Sequence, residues 1–217
     1  MSKFKSAVAA SMIVLSMTAT ASANGDAYLN RATNFQWSFV DVYSELRLYG
    51  GWIGGDLRAT SAAIGNNFSY EAEGSANVLN VQRELAGVGA TLKVSADYAG
   101  SADLTAVGIC NNATVGNTAS GNFGLHSDQR CNTLDPYAIG NVNLGGVGGD
   151  VSIQAAAIAN NLSVDVQSAQ SEIYTEQVNA SATYASLTTT VGNVVGDVTA
   201  SAVSIGNNAT IKHGFGD

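Results

Sequence analysis

The sequence predicts an all-β fold, a β-solenoid or β-helix-like stack of four repeats of ~47 residues, with an antiparallel β-sandwich as the second choice. Three observations carry that expectation. A landmark double asparagine recurs four times, at Asn66-Asn67, Asn111-Asn112, Asn160-Asn161 and Asn207-Asn208, separated by 45, 49 and 47 positions. Apolar residues around it alternate with period two, the signature of a half-buried strand. The composition is rich in small residues, with 24 glycines and one proline among 217 residues, which suits tightly wound coils.

The elements follow in chain order. Residues 1–23 have the layout of a secretory signal peptide: basic Lys3 and Lys5, an apolar run from Ala7 to Met17, and small residues at Ala21-Ser22-Ala23. The mature chain then begins near Asn24. No later stretch reaches the 18 apolar residues that a membrane-spanning helix needs, so no transmembrane segment is expected.

Residues 24–53 concentrate the aromatic mass, with Phe35, Trp37, Phe39, Val40, Val42, Tyr43, Tyr49 and Trp52. The segment reads as a cap over the open end of a repeat stack or as a docking strand, the candidate docking residues being Phe35, Trp37, Phe39, Val40 and Val42.

The repeat domain covers 54–217, with units starting near 54, 99, 148 and 195. In the third unit Val151, Ile153 and Ala155 alternate in one parity and Ile158, Asn160, Leu162, Val164 and Val166 in the other, which places a bend near Ala156. The first asparagine of each pair (Asn66, Asn111, Asn160, Asn207) then faces inward, where stacked amides can bond along a ladder. The alternative makes the Asn-Asn pair a turn. The second asparagine faces out and, with the following hydroxyl residue, forms a candidate surface ladder: Asn67 and Ser69, Asn112 and Thr114, Asn161 and Ser163, Asn208 and Thr210. Such a polar array suits a polysaccharide or ice surface. The short alternating stretches Thr91 to Tyr98 and Gln177 to Tyr184 read as a second rung in each repeat, which would give eight rungs and a rod ~38 Å long.

Cys110 and Cys131 are the only cysteines. In an exported chain they favour a disulfide; the alternative is a metal-bound or catalytic thiol, for which His126 is the only nearby imidazole. The net charge of −8 becomes more negative once Lys3 and Lys5 leave with the leader, and no basic stripe remains for a phosphate backbone, so no nucleic-acid partner is expected. Seven scattered basic residues and two histidines without a recognisable nucleophile point away from an enzyme, a cofactor or a metal site.

With its acidic, Gly/Asn/Ala/Ser-rich repeats, quoted as Ala63-Ile64-Gly65-Asn66-Asn67 and Ser204-Ile205-Gly206-Asn207-Asn208, the chain resembles the holdfast attachment proteins of stalked alphaproteobacteria and, more distantly, curli-type fibre subunits. The resemblance implies an outer-surface protein without enzyme activity that anchors an adhesive polysaccharide. Its expected partners are further copies of itself, other surface proteins and extracellular polysaccharide. The shorter curlin repeats carry glutamine ladders, and none is expected here.

Overall fold

The computed structural model describes residues 17–21, 30–118, 121–132, 135–168 and 170–214. Most of the expected leader, with Ser22 and Ala23 of its cleavage site, lies outside the described residues, as do 215–217. The described chain is built of strands alone: β1 (Met17–Ala21), β2 (Asn30–Ser38), β3 (Val42–Ala72), β4 (Ala76–Glu84), β5 (Val88–Asn117), β6 (Asn122–Cys131), β7 (Tyr137–Val147), β8 (Val151–Gln167), β9 (Gln170–Asn179), β10 (Tyr184–Val194) and β11 (Val198–Gly214). Glycine and small β-tolerant residues let β3 and β5 run for 31 and 30 residues with local bends.

Every strand pair is parallel. One sheet holds β2, β4, β6 and β9 in that order; the other holds β1, β3, β5, β7, β8, β10 and β11. This rules out the antiparallel sandwich. Each strand pairs with its counterpart one repeat away, so Asn66, Asn111, Asn160 and Asn207 stand side by side. A pairing offset equal to the repeat means one layer per repeat, not two. Thr91–Tyr98 lies inside β5 and pairs with Ile139–Leu144 of the next repeat and with Glu45–Trp52 of the previous one, so it is no separate rung. Gln177–Tyr184 is not a single stretch at all, because β9 ends at Asn179 and β10 starts at Tyr184. At strand spacing the four-stranded sheet spans roughly 19 Å, half the expected rod length.

Residues 30–72 form the first layer, with β2 paired along β4, Val42–Ile53 along Val88–Ala99 and Asp56–Ala72 along Ser101–Asn117. Among the described residues the one with positive φ is Gly74 (φ 95°), in the turn from β3 to β4, where a Cβ would be disfavoured.

Two large apolar cores, with a smaller cluster at the corner between them, fill the interior. One packs Leu57, Leu104 and Ile153 against Leu92, Val142 and Leu144. The other packs Phe68, Val115, Leu162 and Val164 against Val78, Phe123 and Leu125. Each fully buried leucine or isoleucine contributes roughly 1.5–3 kcal/mol.

Between the cores the long strands change face. Val151, Ile153, Ala155, Ala157 and Ala159 point inward, and then Asn160, Leu162, Val164 and Val166 do. The bend therefore falls at Ala159/Asn160 and not near Ala156, and Ile158 is on the outer side. Pairing steps over Gly65, Cys110, Ala159 and Gly206 at this corner. A side chain at Gly65 would collide with the Glu84 carboxylate and the Cys110 carbonyl.

Cys110 and Cys131 form a disulfide at the same corner, linking β5 to β6 across a sequence separation of 21 and packing against Ala63, Val88, Ala90 and Ala159. Closing a loop of that size stabilises by about 3 kcal/mol through the unfolded state. The double variant C110A/C131A is expected to lose about that much in urea denaturation; an unchanged midpoint would show that the crosslink is dispensable.

Candidate functional site

The polar seam between the two cores is the most organised feature of the molecule. Asn66 Nδ2 donates to Asn111 Oδ1 at 2.8 Å, Asn111 Nδ2 to Asn160 Oδ1 at 2.7 Å, and Asn160 Nδ2 to Asn207 Oδ1 at 2.7 Å. The first three of these residues are buried. The remaining amide proton reaches the facing sheet, from Asn160 to the Val178 carbonyl and from Asn207 to the Gln177 carbonyl. Both asparagines of a pair are extended, with an inward ladder and a change of face at one place, so the ladder and the bend are the same feature.

Facing this column is a ladder of Gln36, Gln82, Gln129 and Gln177. Each later glutamine donates Nε2 to the preceding Oε1 at 2.8 Å. Their second protons cross the interior to the carbonyls of Asn67, Asn112, Asn161 and Asn208, at 2.7 to 3.0 Å. Asn34 donates to Asn80 Oδ1 and Asn80 to Ser127 Oγ, adding a shorter ladder one pleat away. The expectation that the chain lacks a glutamine ladder is thus incorrect. Its sequence signal was the spacing of these glutamines, 46, 47 and 48 positions apart, in step with the asparagine period.

On the outside of the corner, Asn112 Nδ2 donates to Asn67 Oδ1, Asn161 to Asn112 and Asn208 to Asn161, all at 2.7 Å. These half-buried amides are occupied with one another, and the polarity of this ladder is opposite to that of the inward column. Ser69, Thr114, Ser163 and Thr210 stand in register beside them, all exposed except Ser163, which is half-buried. Hydroxyls are therefore what this face offers a ligand most freely.

The candidate docking residues lie elsewhere. Phe35, Trp37, Phe39 and Val40 are 60–68% exposed, whereas Val42 is half-buried against the cluster that contains the disulfide. The two aromatic residues of β2 flank an ionic network on the neighbouring strands. There Arg83 pairs with Asp128 through both its nitrogens, and Arg130 bridges Asp128 and Glu176. Burial alone would raise the Asp128 carboxyl, but the hydrogen bonds from Arg83 and Arg130 outweigh it and hold Asp128 below the usual range. A second aromatic feature, Trp52 stacked on Tyr98 with centroids 4.0 Å apart, sits at the far edge of the first two layers.

Among the described residues Glu84 is the one buried carboxylate without an ion pair. It stands in register with Ser38 and Cys131, its Oε1 accepts from the Ala86 amide at 3.2 Å, and its Oε2 has no partner. Burial pushes its pKa up to about 7, with the Ser38 and Ala86 hydrogen bonds opposing and the Asp41 charge adding to the rise. Among the described residues no group of three or more His, Cys, Asp or Glu could hold a metal, and no helix is long and apolar enough to cross a membrane.

Two consequences are measurable. Asn111→Ala strands the Asn66 donor and the Asn160 acceptor in the interior, so it is expected to cost about 3 kcal/mol. Asn208→Ala, at the open end, should cost under about 1 kcal/mol in the same urea titration. Equal small losses would refute the seam's structural weight. For Glu84, the folded pKa lies above the unfolded value near 4.5, so its neutral form favours the fold. That contribution is complete below pH 4.5 and is lost as pH rises through 7, on the order of 3 kcal/mol in all. Glu84→Gln should remove this decline from the difference between the two stability profiles; parallel profiles would contradict it.

Comparison with known proteins gives one family. The family model described as holdfast attachment protein D matches residues 7–216. No curated protein and no solved structure matches the chain. A match over nearly the whole length settles membership: the chain belongs to the holdfast attachment protein D family.

Proposed function

We propose that the chain is an exported, non-enzymatic scaffold of the bacterial surface, a four-coil β-solenoid that helps fix adhesive material to the cell by associating with copies of itself. The family match supports the attachment role. The observation that carries the structural role is the use of neutral side-chain amides: three ladders tie each layer to the next in a stiff stack. Residues 1–23 act as the leader in this reading, and Phe35, Trp37, Phe39 and Val40 offer an apolar contact for a neighbouring surface protein.

Polysaccharide binding on the hydroxyl column is a second reading, favoured by the exposed in-register Ser69, Thr114 and Thr210, with half-buried Ser163 between the last two, at ~4.8 Å per strand. The test replaces the gene in the producing bacterium. Loss of the chain should abolish firm surface attachment and the antibody labelling of unpermeabilised cells; attachment at the parental level would refute the scaffold role. The variant S69E/T114E/T210E keeps every asparagine ladder. If it labels normally but no longer retains purified extracellular polysaccharide, the hydroxyl column is the binding face; undiminished retention removes that reading.

A further inference from the structure

The stack ends in an edge that reproduces its own interior. Among the described residues β9, β10 and β11 each pair on one side only, leaving edges of ten, eleven and seventeen residues. Long bare edges invite pairing with another chain. The ladders give those edges a direction. At this end Asn207 Nδ2 has a proton with no acceptor in a further layer, while Asn208 Oδ1 and Gln177 Oε1 receive no donor. At the other end, in the first layer, Asn66 Oδ1 receives no donor and Asn67 Nδ2 has no acceptor. Donor therefore faces acceptor on the inward column and acceptor faces donor on the outward one.

We infer that the last layer of one copy docks on the first layer of another, head to tail, with the asparagine ladders running unbroken across the junction. This deepens the self-association reading and rests on it. The junction repeats the contact found between layers inside one chain: Asn207 Nδ2 donates to Asn66 Oδ1 of the next copy, and that copy's Asn67 donates to Asn208 Oδ1. Thr210 comes into register with Ser69, as it does with Ser163 within the chain. A twofold tail-to-tail contact offers no such match, since it sets Asn208 Oδ1 and Gln177 Oε1 against their own copies and turns the strands antiparallel. A head-to-tail contact does not close on itself, so it builds an open filament. The only described strand on the first-layer edge is β1, which covers Phe68–Ala72 from within the segment read as the leader.

The experiment uses the protein as the bacterium exports it. Ser69 and Thr210 are exposed and, three layers apart, roughly 14 Å from each other, too far for a disulfide within one copy. After oxidation the double variant S69C/T210C is expected to run on a non-reducing gel as dimers, trimers and larger species, while T210C alone stays monomeric. Dimers from T210C alone would overturn the proposal in favour of a tail-to-tail contact, and a double variant that stays monomeric while retaining the parental circular dichroism would overturn it outright. Ala202, inward in register but exposed at the bare end, supplies a second reading. A202K should abolish filaments in negative stain without changing the fold; filaments of parental length would count against the junction. Surface attachment by a protein that makes no filaments would sink the stacking and leave the scaffold role standing.

Discussion

A primary amide one strand spacing above another can both donate and accept, and this small geometric fact governs the molecule. Asn66, Asn111, Asn160 and Asn207 meet only if the strands that carry them are parallel and offset by one repeat. A slip by one residue would put a buried amide on the outer face and an outward residue in the core. The columns thus set the register that the small, interchangeable apolar residues on either side cannot. Ala106, Ala155 and Ala157 would pack about equally well one pleat along; a buried asparagine would be left without partners at a cost of a few kcal/mol.

The rest of the interior follows from that seam. The glutamine column crosses to the carbonyls at the corner and ties the two sheets together where the long strands change face. Room for the corner comes from Gly65, Ala159 and Gly206, and the disulfide occupies the same level. The apolar cores lie to either side and need only fill space. With internal amides supplying specificity, the chain can manage with few charges, and its main buried ion pairing is confined to the outer face around Asp128.

Much of this was legible in the sequence because the asparagine pairs are adjacent, recur at an even spacing and sit among clear alternation. The all-β class, the repeat and the inward set Asn66, Asn111, Asn160 and Asn207 could be read from that pattern. Alternation shows which face a residue takes but not which strand it pairs with, so Thr91–Tyr98 could be mistaken for an extra rung. The alternation places the bend about three residues early because Ala155-Ala156-Ala157-Ile158-Ala159 is apolar on both faces and gives no contrast. The glutamines give only a spacing signal, because each stands alone among dissimilar neighbours: Phe35 and Trp37 around Gln36, Asp128 and Arg130 around Gln129. Glu84 carries no sequence signal, since only the folded corner makes it buried.

Hydrogen exchange of the side-chain amides, followed by NMR, tests the governing role of the ladders most directly. The Nδ2 and Nε2 protons of Asn66, Asn111, Asn160, Gln82 and Gln129 should exchange only on global unfolding, far more slowly than exposed Asn77 and Asn193. If the buried set exchanges as fast as those exposed amides while the backbone stays protected, the ladders do not hold the stack and the account fails.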